Sequence, residues 1–311
     1  MKILATSDWH LHSAKPICRI DENWVDTQKK CLDLLAEYIN THEIDILAIS
    51  GDVFDTPSVI PSVSNIFYDF VNKIDVPIYM IGGNHDLPYH QYKYVDGCSY
   101  YGAYLFASKS NNQAANNINI DCFDFSEELL EDNTLKDERD VALIHYFSVK
   151  NENDRVPRDT KCLTSGDILK TLEKTRITII GDNHQAWYVR KGDRLVVNCG
   201  TLLKRNATEA NYDTGFYVVD TETLDVEKVS LFDFEKDYID TSYLSIKKHL
   251  EETEGINYDS LVNELSETNN NGEQFDFIYT LEKYISSDNK VNKDIKNYLN
   301  KVLDHVKGVL S

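Results

Sequence analysis

The 311-residue chain lacks long hydrophobic runs, paired cysteines and an excess of basic side chains. No apolar run reaches the roughly 18 residues needed to cross a bilayer. The first residues, MKILATSD, become polar too early for a secretory signal peptide. The six cysteines are scattered without any C-x-x-C pair, which argues against a disulfide framework and against a zinc knuckle. We therefore expect a cytoplasmic protein with reduced thiols.

The formal net charge of -20 restricts the expected partners. Proteins that bind nucleic acid without sequence preference do so mainly through Lys and Arg. Bound divalent cations, which this tally does not count, would offset part of the negative charge where they bind. The acidity therefore argues against strong non-specific DNA affinity, but it does not exclude DNA as a substrate.

The apolar pattern predicts an α/β fold built on a mixed sheet. Helical spacing predicts helices at 24–40 and 61–73, between short apolar segments that end in polar residues. These segments predict strands at 2–6, 44–50, 76–81, 140–144, 176–180, 195–198, 216–220 and 224–231. Alternating strands and helices, followed by strands without helices, predict a two-layer mixed β-sandwich flanked by helices.

The pattern changes from about Phe232 onward. A helix at 240–254, a turn at 269–272, a strand at 275–281 and a final helix at 291–311 are predicted there. We therefore expect a main domain at 1–231 and a small α+β domain at 232–311. The stretch 89–106 is rich in tyrosine, which predicts either packing on the core or an oligomer surface.

Polar side chains follow five of the predicted strands. The fragments are D-W-H at 8–10, G-D-V-F-D at 51–55, G-N-H-D at 83–86, His145, and G-D-N-H at 181–184. Each is common by chance, but ligands bind beyond the carboxyl ends of strands in such sheets, so five in order predict one metal-binding cleft. Carboxylate and imidazole ligands without thiolate suit manganese, iron or zinc better than calcium, and manganese most readily.

This order of motifs resembles the calcineurin-like metallophosphoesterases. Within that family, S-D-W-H-L at 7–11, G-D-V-F-D at 51–55 and N-C-G-T at 198–201 resemble the SbcD-type DNA nucleases and their phage recombination-endonuclease relatives. The resemblance covers roughly residues 1–230 and implies the metallophosphoesterase fold. The segment 232–311 is similar to that family's DNA-facing capping domain only in size and in its content of a strand and helices.

The resemblance implies a two-metal site with Asp52 as the bridging ligand. The implied ligands are Asp8, His10, Asp52 and His184 for one metal, and Asp52, Asn84, His145 and Asp182 for the other. His85 would donate a proton to the leaving oxygen or stabilise the transition state, and Asp86 would orient His85 through a hydrogen bond. Asp55 would either brace a ligand, which we favour, or cap its loop.

One position departs from the family pattern. The family usually has G-H-x-H at the last motif, whereas this chain has Asp182 in place of the first histidine. A carboxylate there makes the second site harder and more anionic, which favours manganese or magnesium. The alternative is that Asp182 is a degenerated ligand and the second site binds weakly.

The resemblance implies a manganese-dependent DNA exonuclease and endonuclease that hydrolyses phosphodiester bonds in recombination, repair or replication. It also implies DNA as a partner, a homodimer and an SbcC-like ATPase subunit, in the cytoplasm, or in the host cytoplasm if the chain is phage-encoded. The acidic charge favours a first alternative, a phosphatase or phosphodiesterase acting on nucleotides or other small phosphoesters. A second alternative is an inactive interaction platform.

Basic residues near the last motifs predict either a phosphate-contacting rim or scattered surface charge; they are Arg155, Arg158, Lys161, Arg190, Lys191, Arg194, Lys204 and Arg205.

Overall fold

The computed structural model describes residues 1–87, 118–125, 137–154 and 162–241. Met1–Tyr243 form one unit of the chain, and Leu244–Ser311 form a second. The tyrosine-rich stretch 89–106 and the elements predicted beyond residue 241 lie outside the described residues. The division into domains at 1–231 and 232–311 therefore stays a prediction.

The described part of the chain contains the strands and helices predicted up to residue 231, and in addition β4, β6, β7, β9, α3 and α4, which the apolar pattern does not predict. The strands are β1 (Lys2–Thr6), β2 (Ile46–Ser50), β3 (Ile78–Ile81), β4 (Ile120–Phe123), β5 (Arg139–His145), β6 (Ser148–Val149), β7 (Leu163–Thr164), β8 (Thr175–Gly181), β9 (Trp187–Lys191), β10 (Arg194–Asn198), β11 (Gly215–Asp220) and β12 (Val226–Ser230). The helices are α1 (Trp24–Thr41), α2 (Pro61–Val71), α3 (Ser165–Thr171) and α4 (Phe232–Glu235). Short 3₁₀ helices lie at Glu152–Asp154, Ala207–Glu209 and Lys236–Tyr238.

The described residues of the first unit form two five-stranded mixed sheets. The first has the order β12-β11-β1-β2-β3. In it, β1, β2 and β3 are parallel to one another, β11 is antiparallel to β1, and β12 is antiparallel to β11. The second has the order β4-β5-β8-β10-β9, in which only β9 is antiparallel to its neighbour. A small parallel pair, β6 and β7, lies beside them.

The two sheets pack face to face, and successive side chains of each strand point alternately to the inner and the outer face of its sheet. Ile3 and Ala5 of β1 lie in one buried cluster with Val141 and Leu143 of β5, whereas Leu4 points to the opposite face. That outer face of the first sheet packs against α1 and α2. The outer face of the second sheet packs against α3. The predicted two-layer mixed β-sandwich flanked by helices is therefore confirmed.

The two long helices begin where local chemistry favours a start. The side chain of Asn23 accepts a hydrogen bond from the backbone N–H of Asp26 and so caps α1. Pro61 occupies the first turn of α2, where its missing N–H has no helical partner to lose. Both helices then bury one apolar stripe on the first sheet. Among the helices that the structure describes, none combines the length and apolarity that a bilayer crossing requires.

Candidate metal centre

The five polar fragments lie at the carboxyl ends of parallel strands from both sheets. Asp8, Asp52 and Asn84 follow β1, β2 and β3 of the first sheet. His145 is the last residue of β5, and the loop that begins after Gly181 of β8 carries Asp182 and His184. The pairing of His145 with Gly181 aligns the ends of β5 and β8. The fold thus brings all seven predicted ligands to one edge of the sandwich.

The first predicted ligand set converges on a small volume. The Nε2 atom of His10 lies 3.1 Å from Nε2 of His184, 3.6 Å from Oδ2 of Asp52 and 4.0 Å from Oδ1 of Asp8. Ligands bonded to one cation at about 2.0–2.3 Å lie about 3–3.5 Å apart, so these donor atoms fit a single ion. Asp8, His10 and His184 form one group of side chains able to hold a metal.

The second predicted set converges around His145. Its Nε2 atom lies 2.9 Å from Oδ1 of Asn84, 3.4 Å from Oδ2 of Asp52 and 4.0 Å from Oδ1 of Asp182. Asp8, Asp52 and His145 form another group able to hold a metal. The same oxygen, Oδ2 of Asp52, thus lies near both His10 and His145, which is the position that a bridging ligand requires.

Backbone strain concentrates at the same loops. In the described part of the chain, five residues other than glycine have a positive φ. Four of them are predicted ligands, Asp8 (φ 51°), His10 (φ 46°), Asp52 (φ 52°) and Asp182 (φ 89°), and the fifth is Leu224. Such strain persists only where the surrounding structure imposes it, and it clusters at functional sites.

Two glycines allow the loops to approach one another. Gly51 has a φ of +87°, and a Cβ there would lie 2.8 Å from Cγ of His145. A Cβ on Gly83 would overlap the carboxylate and the backbone nitrogen of Asp52. The glycines in G-D and G-N-H-D are therefore required because ligand side chains occupy the space beside them.

The cluster buries more carboxylate charge than the histidines offset. Burial raises the pKa of Asp8 to about 6, although His145 and His184 act to lower it. Burial would also raise the pKa of Asp52, but His145 beside it holds that pKa below its usual range. Burial acts to lower the pKa of His145, but the carboxylates of Asp52, Asp182 and Asp8 together raise it above its usual range. Cations would relieve this excess charge, so the donor set fits divalent metals.

His85, the predicted acid, lies at the open side of the cluster. Its side chain is 42% exposed, and its backbone N–H donates to Oδ1 of Asp52 over 2.9 Å. Its Nδ1 atom lies 2.9 Å from the carbonyl oxygen of Asp55 and 3.5 Å from Oδ1 of the same residue. Asp55 also lies 3.4 Å from Nδ1 of His10, as expected of a bracing residue.

Asp86 holds the turn on which Asn84 and His85 lie. Its buried carboxylate accepts hydrogen bonds from the backbone N–H groups of Gly83 (2.9 Å), Phe54 (2.8 Å) and Val53 (3.3 Å). These bonds tie the G-N-H-D turn to the G-D-V-F-D loop. The predicted hydrogen bond from His85 to Asp86 stays a prediction.

The basic residues named from the sequence do not gather at the cluster as a group. Arg155, Arg158 and Lys161 lie outside the described residues. Arg194 donates to the backbone carbonyls of Leu169 and Leu172, and Lys204 is buried beneath the ring of Phe232. Arg205 does reach the site, because its Nη2 atom lies 2.5 Å from Oδ1 of Asp55.

The site also contains a residue that the sequence motifs do not predict. The Oε1 atom of Glu209 lies 2.7 Å from Nδ1 of His184, and Glu209 is 4% exposed. Burial would raise the pKa of Glu209, but its hydrogen bond with His184 lowers it to about 2. The N-x-x-E spacing of Asn206 and Glu209 could have indicated a helix start, but not this contact.

This chain is similar to known proteins over most of the unit Met1–Tyr243. The family model of the calcineurin-like phosphoesterases matches residues 1–205. Over 94 residues the chain is 33% identical to the SbcD subunit of the nuclease SbcCD from Escherichia coli K12, which is 28% of this chain and 21% of that protein. The corresponding subunit of Bacillus subtilis 168 is 33% identical over 93 residues, 28% of this chain and 22% of that protein. The matched segment therefore spans about a fifth of these curated relatives.

One solved structure matches this chain at low identity. The protein TT1561 of Thermus thermophilus is 14% identical and matches with a TM-score of 0.43. The match covers 74% of this chain and 98% of that one.

Proposed function

The chain belongs to the calcineurin-like phosphoesterase family, and from this premise we propose that it is a manganese-dependent DNA nuclease. It would hydrolyse phosphodiester bonds as an exonuclease and endonuclease in DNA recombination, repair or replication. The proposal rests on the geometry of one oxygen: Oδ2 of Asp52 lies 3.6 Å from Nε2 of His10 and 3.4 Å from Nε2 of His145.

The distances around Asp52 support the ligand assignment that the family resemblance implies. Asp8, His10, Asp52 and His184 would hold one cation, and Asp52, Asn84, His145 and Asp182 would hold the other. When bound, two such cations supply a nucleophile from water and neutralise charge on the scissile phosphate. Asp182 adds a hard oxygen ligand to the second position, which favours manganese or magnesium over softer metals.

The protein's own contribution to proton transfer would come from His85. Its Nδ1 faces the carbonyl oxygen of Asp55 at 2.9 Å, so its Nε2 faces the other way. Its exposure leaves that nitrogen accessible to a leaving oxygen. Asp86 would act as a positioning residue, because its bonds to three backbone N–H groups hold the turn that carries His85. Such proton transfer contributes about 10²–10⁴-fold to rates.

DNA as the substrate and an SbcC-like ATPase as the partner are supported by the two relatives, which are both SbcD subunits of the nuclease SbcCD. Homodimerisation belongs to the same proposal. The net charge of -20 favours the alternative, a phosphodiesterase or phosphatase on nucleotides or other small phosphoesters. The chemistry at the cations would be the same in both cases.

A pair of substrates distinguishes these functions. We would incubate the purified full chain with MnCl₂ and either end-labelled duplex DNA or bis-para-nitrophenyl phosphate, with the same reactions in EDTA and with magnesium as controls. Manganese-dependent cleavage of DNA is the expected result. Turnover of the small ester alone would remove the nuclease proposal in favour of the alternative. Absence of turnover on both, with manganese bound to the chain, would favour an inactive interaction platform.

A further inference from the structure

The two nitrogens of His184 face different partners. Nε2 lies 3.1 Å from Nε2 of His10 within the predicted ligand set, and Nδ1 lies 2.7 Å from Oε1 of Glu209. We propose that Glu209 is a positioning residue that fixes the tautomer and the ring orientation of His184 for the first cation. This inference rests on the proposed function, since it takes His184 as a metal ligand.

The carboxylate of Glu209 has a fixed orientation. Its Oε2 atom accepts the backbone N–H groups of Arg205 (2.6 Å) and Asn206 (3.1 Å), and the amide of Asn206 donates to Oε1 (3.0 Å). Glu209 is the third residue of the 3₁₀ helix Ala207–Glu209, which Asn206 caps in a capping box. Oε2 accepts two donors, and Oε1, which accepts the Asn206 amide, has a second lone pair to accept Nδ1–H of His184.

The backbone of the His184 loop is held by other residues. The amide of Asn198 donates to the carbonyl oxygens of Asn183 (2.7 Å) and Gln185 (2.9 Å), on either side of His184. The backbone N–H of Thr201 donates to the carbonyl oxygen of His184 over 3.0 Å. The loop is therefore anchored without Glu209, and the contact from Glu209 acts on the ring alone.

The tautomer decides whether His184 can bind a cation. An imidazole that donates from Nδ1 keeps a lone pair on Nε2, which is the nitrogen directed at His10. A carboxylate acceptor also makes the ligand nitrogen more basic, and the loss of such a partner costs about 10- to 100-fold in metal affinity. Metal binding by His184 would thus depend on Glu209, which lies beyond the segment 1–205 that the family model matches.

Glu209→Gln provides a nearly isosteric test. The two backbone donors would keep the amide oxygen of the introduced glutamine at the position of Oε2, so its NH₂ group would face Nδ1 of His184. That arrangement requires an acceptor at Nδ1 and places the ring proton on Nε2, where it blocks the ligand lone pair. Glu209→Gln is therefore expected to weaken binding as much as Glu209→Ala, although it keeps the turn.

Manganese affinity of the EDTA-treated full chain would be measured by calorimetry, and the His184 tautomer by ¹⁵N NMR of the metal-free protein. Both Glu209 variants are expected to lose about 10- to 100-fold in affinity, with the ring proton on Nε2 in Glu209→Gln. Glu222→Gln, which makes the same replacement at an exposed glutamate, is expected to bind manganese as the wild type does.

The outcomes separate two failures. If Glu209→Gln keeps both the wild-type tautomer and the wild-type affinity, Glu209 is not a positioning residue. If Glu222→Gln loses as much affinity as the Glu209 variants, the loss does not come from the contact with His184, which also overturns the inference. If the wild-type chain binds no manganese, the proposed function itself is wrong.

Discussion

Replacing Asp8 with asparagine is expected to stabilise the metal-free protein. Asp8 is completely buried, its Oδ2 accepts the hydroxyl of Ser7 (2.6 Å), and its Oδ1 lies 3.2 Å from the backbone nitrogen of Asp182. Burial raises its pKa from the ordinary 3.8 to about 6. Without cations, the folded state therefore carries a carboxylate that is more easily protonated than in the unfolded chain.

The magnitude and sign follow from linkage. A raised pKa of an acid lowers the stability of the folded state fully above about pH 6, and this effect decreases as the pH falls and disappears below the unfolded value of 3.8. A shift of about two pKa units corresponds to about 3 kcal/mol at pH 8 and to about half of that at pH 5. An asparagine loses about 1 kcal/mol through one weakened hydrogen bond. Asp8→Asn should thus gain about 2 kcal/mol at pH 8 and about 0.5 kcal/mol at pH 5.

Urea unfolding in EDTA would measure both values. The three tryptophans, Trp9, Trp24 and Trp187, are buried in the described unit, so their fluorescence reports on its unfolding. Manganese at about 100 times its dissociation constant should stabilise the wild type by about 2.7 kcal/mol, and Asp8→Asn much less. The reasoning is refuted if Asp8→Asn is less stable than wild type in EDTA by the same amount at pH 8 and pH 5.

Three further substitutions test other parts of the site. His85→Ala should lower turnover about 10²–10⁴-fold while manganese content per chain stays the same, and unchanged turnover would mean that another group donates the proton. Asp182→His should shift the preference from manganese toward zinc in competition calorimetry, because imidazole is the softer ligand; an unchanged preference would exclude Asp182 from the second site. Gly83→Ala should weaken metal binding because its Cβ would overlap Asp52. Gly166→Ala, whose Cβ would meet only Thr164 at 3.5 Å, is its control, and equal affinity in both variants would contradict the steric argument.

Most strands can be predicted from the sequence because each is a short apolar run that ends at a polar residue or a glycine. β2, for example, is a fully buried apolar run that ends at Gly51-Asp52. β4 has only four residues, and β9 is an edge strand in which mainly Trp187 is buried, so neither carries a clear period. α3 has seven residues, which is too short for a helical stripe to be recognised.

The site is predictable to the extent that each ligand ends a strand. Asp8 and Asp52 lie next to apolar runs, and topology brings their ends together. The contact between Glu209 and His184 has no such signal, because it joins residues 25 positions apart through a loop and a 3₁₀ turn. The contact of Arg205 with Asp55 likewise cannot be predicted from the sequence, since it depends on how the segment after β10 passes the site.

The predicted ligands follow strands of both sheets, so the proposed centre would be complete only when both sheets have formed. Asp8, His10, Asp52 and Asn84 follow strands of one sheet, whereas His145, Asp182 and His184 lie at or after the ends of strands of the other. A chain with only one of the sheets formed would hold at most four of these seven side chains, so its metal site would be incomplete. A bound cation pair would in turn clamp the two layers at this edge, and chelation would loosen the sandwich there.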